Sequence, residues 1–145
     1  RIGYLAANMD IAKAVDKIQS HMTSNPNSMA QKAALEALKG SQDEIKKMIK
    51  EFKKRRDVMF NGLKEIEKVS CRKPAGAFYM FPSVSELYDD KIRNSLDLSE
   101  FLLNKAKVAT VPGVAFGADN YIRLSYTTSI EKINTAIDRI KNLLK

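Results

Sequence analysis

Residues 41–68 carry one apolar stripe. Ile45, Met48, Ile49, Phe52, Met59, Leu63 and Ile66 fall three, four or seven positions apart, with charge on the remaining faces. That spacing predicts a long amphipathic helix, and such a helix folds only by laying its apolar side against another layer. Ser41 and Glu44 have capping-box spacing at its start, and Gly62 weakens the helix without forbidding it. Past residue 68 the pattern shortens to the alternation of strands. Residues 69–72 and 77–81 read as two strands around Pro74-Ala75-Gly76, 82–96 as a loop, 108–111 as a strand ending at Pro112-Gly113, and 121–126 as another.

Helical spacing returns twice in this second half. Asp97 and Glu100 cap a short helix carrying Leu98, Phe101, Leu102 and Ala106. Thr128 and Glu131 cap a last one with Ile130, Ile133, Ile137, Ile140 and Leu144 on its buried side. Ahead of the long stripe, residues 1–7 read as a strand, Asp10 caps a helix with Ile11, Ala14, Val15 and Ile18 on one face, and 21–28 is a loop around Asn25-Pro26. Ser28 with Gln31 then opens a helix that Gly40 stops. A helical first half followed by strands interleaved with helices makes the fold class mixed α and β, an α/β chain with an antiparallel or mixed sheet flanked by helices.

Charge and composition narrow the function classes. Lys and Arg number 25 against 17 Asp and Glu, a net charge of +8. The densest basic run is Lys53-Lys54-Arg55-Arg56, where four consecutive helical residues point in four directions between Glu51 and Asp57, which reads as a solvated helix face. No aromatic stacking module accompanies it, so nucleic acid is not expected as a partner. The single cysteine, Cys71, excludes an internal disulfide, reads as a small core residue and fits a reducing, cytoplasmic setting. The single histidine, His21, has no partners at metal-ligand spacing, and no glycine-rich phosphate loop is present. No apolar run approaches the ~18 residues a membrane span needs.

Two arginines stand out against this background. In Tyr121-Ile122-Arg123-Leu124-Ser125-Tyr126, alternation sets Tyr121, Arg123 and Ser125 on one face and Ile122, Leu124 and Tyr126 on the other. Arg123 is then either an edge-strand residue facing solvent or pairing with a nearby acid, or a group aimed into a cleft to bind an anion through its two-donor fork. Arg1 leads a strand-like segment containing Gly3 and raises the same question more weakly.

Five stretches favour the cleft reading of Arg123: RIGY at 1–4, SNPNSMAQ at 24–31, PAGAFYMF at 74–81, VPGVAFG at 111–117 and YIRLSYTTS at 121–129. In this order they resemble class I pyridoxal-phosphate aminotransferases, most nearly the bacterial aspartate aminotransferase branch. The resemblance covers essentially the whole chain. It implies that Arg1 binds the cofactor phosphate, that Arg123 clamps the substrate α-carboxylate, and that Phe78 lines the substrate pocket. Ser24 and Asn25 would lie on a loop reaching the partner subunit's site, so a homodimer is implied. The cofactor is pyridoxal 5'-phosphate, and the substrates are an amino acid, with aspartate expected, and a 2-oxo acid.

In that family the lysine carrying the cofactor as a Schiff base stands a few residues before the equivalent of Arg1. The chain opens at Arg1, without methionine, and so reads as the C-terminal part of something longer. It is expected to be inactive alone, with no catalytic residue of its own. Its expected organisation is 1–40 as the end of a large cofactor domain, 41–68 as a bridging helix and 69–145 as a small α/β domain. Two rival readings are a pyridoxal-phosphate lyase or synthase of the same fold, and a non-catalytic module binding through its cationic surface.

Overall fold

Five helices and three short strands form along the chain in the computed structural model, which describes residues 1–145. The helices are α1 (Met9–Thr23), α2 (Ser28–Lys39), α3 (Asp43–Lys64), α4 (Ser95–Phe101) and α5 (Ile130–Leu143). The strands are β1 (Tyr79–Met80), β2 (Val111–Pro112) and β3 (Ile122–Ser125). The chain divides into two compact units, Arg1–Lys46 and Lys47–Lys145.

In the first unit, residues 1–8 form no regular element, where the sequence predicted a strand over 1–7. Every backbone ladder in the molecule belongs to other residues, so this segment has no strand to pair with. Helix α1 is capped by Asn8, whose Oδ1 accepts from the Ile11 amide at 3.0 Å, and α2 by Asn27, whose Oδ1 accepts from Ala30 at 3.0 Å. Asp10 and Ser28, the predicted caps, instead fall inside the first turn. Neither helix has a buried residue.

The second unit contains the core. The antiparallel sheet runs β1-β3-β2, with Tyr79 opposite Ser125, Met80 opposite Leu124, Val111 opposite Arg123 and Pro112 opposite Ile122. Strand β3 is thus the middle strand, and Arg123 is not an edge residue. One sheet face turns Met80, Ile122 and Leu124 inward against Met59 and Leu63 of α3, Leu98 of α4 and Ile133, Ile137 and Ile140 of α5. The isoleucines of α5 recur at the spacing the sequence predicted. Gly62 is a contact point: a Cβ there would stand 2.8 Å from Cγ2 of Ile137, so its absence lets α3 and α5 approach.

Boundaries shift where side chains compete for caps. The cap of α4 is Asn94, and Asp97 sits in the first turn taking the Arg93 amide at 3.0 Å. The cap of α5 is Ser129 rather than Thr128. At α3, Ser41 accepts from the Asp43 amide at 3.2 Å, and regular helix starts at Asp43 and ends at Lys64, short of the predicted 68. Residues 69–72 contribute a single bridge, Ser70 to Ser83, instead of a strand, and the 108–111 strand narrows to Val111–Pro112. Helix α4 runs on into a wider turn, Leu102–Ala106, that buries Leu102 and Ala106.

Candidate functional site

The sheet has a second face, and it is lined by rings. Alternation that sends Ile122 and Leu124 inward sends Tyr121, Arg123 and Ser125 outward, beside Tyr79 of β1. The β1–β3 register continues to a bridge between Ser83 and Tyr121, which sets Phe81 opposite Arg123. The Arg123 guanidinium carbon lies 4.4 Å from the centre of the Tyr79 ring and 4.8 Å from that of Phe116. Phe81 stacks on Tyr121 at 5.0 Å and meets Phe116 edge-on at 5.9 Å. Cation–π contacts of this kind hold a guanidinium by its faces and leave its in-plane N–H donors unspent. Arg123 makes no ion pair with any acid of the chain.

Phe116 reaches this position on a tight loop. The Gly113 amide donates to the Tyr121 carbonyl at 2.8 Å and the Ala118 amide to the Gly113 carbonyl at 3.0 Å. Gly113 is buried there, and a Cβ on it would sit 2.1 Å from the Ala118 oxygen and 2.3 Å from the Tyr121 oxygen, so no other residue fits.

Phe78, the expected pocket wall, is half exposed. It touches Tyr79 at 4.5 Å and Phe52 at 6.3 Å, so it meets Arg123 only through Tyr79. Its backbone is fixed from the core: its carbonyl accepts from the Tyr126 amide at 3.0 Å, and the Tyr126 hydroxyl donates to the Ala77 carbonyl at 2.9 Å. Burial pushes the Tyr126 hydroxyl pKa up, with the Arg56 charge working the other way, which keeps that donor protonated.

The basic run on α3 is partly structural. Arg55 pairs with Glu51 at 3.0 Å and lies over Phe52, while Arg56 pairs with Asp57 at 2.9 Å and donates to the Pro74 carbonyl at 3.3 Å. Lys73 closes on the same Asp57 at 2.9 Å. Both cations hold the Asp57 carboxyl below its ordinary value, Lys73 more than Arg56. The solvated-face reading therefore applies to Lys53 and Lys54 but not to the two arginines. Cys71 is only half buried, beside Met80, and burial raises its thiol pKa.

In the first unit Arg1 is exposed and lines an open groove of about 670 Å³ with Gln19, Thr23 and Asn25. No acid is paired with it. Ser24 ends α1 at φ 60° and stays outside that groove's lining. The structure therefore brings Arg1 and Asn25 to one groove, and Phe78 and Arg123 to one aromatic cluster. Tyr79, Phe81, Phe116 and Tyr121 escaped the sequence reading as site residues. The alternation of Tyr79 with Phe81 and of Tyr121 with Arg123 was the available signal.

Comparison with known proteins gives one consistent answer. The family model "Aminotransferase class I and II" matches residues 1–140. The chain is 47% identical over 148 residues to the probable aspartate/prephenate aminotransferase of Rickettsia prowazekii, covering 98% of the chain and 37% of that protein. It is 42% identical to the aspartate aminotransferase of Geobacillus stearothermophilus, covering 100% of the chain and again 37% of the relative. Among solved structures, the aspartate aminotransferase of Thermotoga maritima superposes with a TM-score of 0.87 at 41% identity, over 99% of this chain and 36% of that one. The chain thus spans little more than a third of the length of the relatives it matches.

Proposed function

Since the chain belongs to the class I and II aminotransferases, we propose that it is the C-terminal portion of an enzyme moving an amino group from aspartate to a 2-oxo acid with pyridoxal phosphate. The observation that carries this reading is Arg123, clasped between Tyr79 and Phe116 with no acid of its own. Such a guanidinium has its fork ready for a carboxylate, and the two rings fix the direction in which that fork points. Fixing the α-carboxylate selects which bond at the substrate's α-carbon the cofactor acts on, and this favours proton removal over loss of carbon dioxide. Phe78 and Tyr79 form the wall beside the bound substrate.

Arg1 fits the cofactor's phosphate: it is exposed, unpaired and set in a groove with neutral polar neighbours, although Asp16 also lines that groove. The cofactor supplies an electron-withdrawing ring. Asn25 in the same groove, with Ser24 beside it, belongs in this reading to the loop that meets a second copy in a homodimer. The proposed organisation places 1–40 at the end of a large domain, 41–68 as a bridge and 69–145 as a small domain. The break between compact units at Lys46 and Lys47 supports a division near the start of α3. No helix is long and apolar enough to cross a membrane, and we place the enzyme in the cytoplasm.

The test is Arg123→Lys in the complete enzyme, assayed with aspartate and 2-oxoglutarate. The charge stays and the fork goes, so kcat/KM should fall by about two orders of magnitude or more. Unchanged kinetics would remove Arg123 from the site. Formation of glutamate separates amino transfer from lyase or synthase chemistry.

A further inference from the structure

Arg123 is held on one flank by Phe116, and something must hold Phe116. The loop carrying it is tied to the start of α4 by one buried residue. Ser95 is fully buried. Its hydroxyl donates to Asp119 Oδ1 at 2.6 Å and accepts from the Val114 amide at 3.1 Å, while its own amide donates to the same Asp119 oxygen at 3.0 Å. Asp119 thus ties down the end of the loop and Val114 its beginning, with Phe116 between them. The Asp119 carbonyl also takes the Tyr88 hydroxyl, and the following carbonyl, of Asn120, takes the Val84 amide at 2.9 Å. One carboxylate oxygen thus accepts both the amide and the hydroxyl of Ser95, a pair of charge-assisted bonds.

We propose that Ser95 and Asp119 are positioning residues for Arg123, acting through Phe116 on its affinity for the substrate carboxylate. This rests on the reading of Arg123 as the carboxylate clamp. No motif marks them, because they lie 24 positions apart and meet only through the fold.

The test uses the complete enzyme with Ser95→Ala, Asp119→Ala and Asp119→Asn, each alone and combined with Phe116→Ala. Two quantities are read: KM against kcat for both substrates, and the dissociation constant of succinate by calorimetry, with succinate as a probe carrying carboxylates but no amino group. Removing the Ser95 hydroxyl or the Asp119 carboxylate should raise KM and the succinate constant about tenfold and leave kcat within about threefold. Asp119→Asn keeps an oxygen at Oδ1 and should stay within about threefold of the parent. In the Phe116→Ala background, Ser95→Ala should add less than about twofold, since the path is already cut.

Lower melting temperature with unchanged KM and succinate affinity would make the lock a stability device only and overturn the proposal. Full multiplication of the effects in the Phe116→Ala background would overturn it as well. Asp119 is exposed, so the alanine and asparagine pair there remains informative even where Ser95→Ala fails to fold. Arg123→Lys in parallel separates the two failures. If it is silent, the clamp reading falls and takes the lock with it. If it is damaging while the lock variants are silent, the lock alone falls.

Discussion

Residues 1–46 and 47–145 obey the same sequence rules and end differently. Helix α1 presents Ile11, Val15, Ile18 and Met22 at helical spacing, and α5 presents Ile133, Ile137 and Ile140. The first set is exposed and the second fully enclosed. Helix α3 repeats the contrast within itself, with Ile45, Met48 and Ile49 exposed and Met59 and Leu63 buried. Amphipathic spacing is a property of the segment, whereas burial is a property of the partner. The second unit supplies a sheet and three helices that cover one another, whereas the first has no buried side chain on either of its helices.

The strongest way to break this contrast is through two glycines. Gly113→Ala drives a methyl group into two backbone carbonyls that cannot move aside, and it should cost about 4 kcal/mol or more, or prevent folding of 47–145 altogether. Gly3→Ala has nothing within 4 Å and should be silent. Chemical denaturation of the two variants gives the comparison directly. A tolerated Gly113→Ala would mean that the 113–121 loop is looser than its geometry, and that Phe116 is not fixed by it.

Next in size is a pair of isoleucines. Ile133 is completely buried, and Ile133→Ala should cost about 3 kcal/mol from lost transfer energy and the cavity left behind. Ile18→Ala on exposed α1 should change stability by no more than about 0.5 kcal/mol. Equal costs would show that residues 1–46 share the cooperative core of the rest.

The same contrast explains how much was legible in the sequence. The alternation of residues 121–126 identified the inward and outward faces of β3, and the spacing of α5 identified its core residues, because each depends on neighbours along one element. Strand lengths were overestimated at 69–72 and 108–111, where a bridge or a two-residue ladder depends on what a distant segment offers. Caps were displaced because Asn8, Asn27 and Asn94 compete with nearby Asp and Ser residues, and composition alone does not rank them. The five motifs pointed to Arg123, but its aromatic clasp needed the sheet register. The Ser95–Asp119 lock had no local signal of any kind.

The smallest expected effect distinguishes the two regions by acid. Asp57 titrates below its ordinary value because of Lys73 and then Arg56, and Asp43 does so because of Lys46 and then Ser41. A carboxylate with a depressed folded pKa contributes stability at any pH above its ordinary value, near 3.8, and loses it as pH falls through the depressed one. The Asp57 contacts join α3 to the turn at 73–74, so their loss belongs to the melting of the 47–145 unit. The Asp43 contacts lie within three residues and belong to the local opening of a helix end. Asp57→Asn should therefore flatten the fall in the melting temperature of this unit between neutral and acid pH, and Asp43→Asn should leave that slope unchanged. Thermal melts from pH 7 down to pH 2, followed by near-ultraviolet tyrosine dichroism, to which Tyr79, Tyr88, Tyr121 and Tyr126 contribute from the 47–145 unit, test both. Equal flattening by the two variants would mean that the units open together and that the division at Lys46 is geometric only.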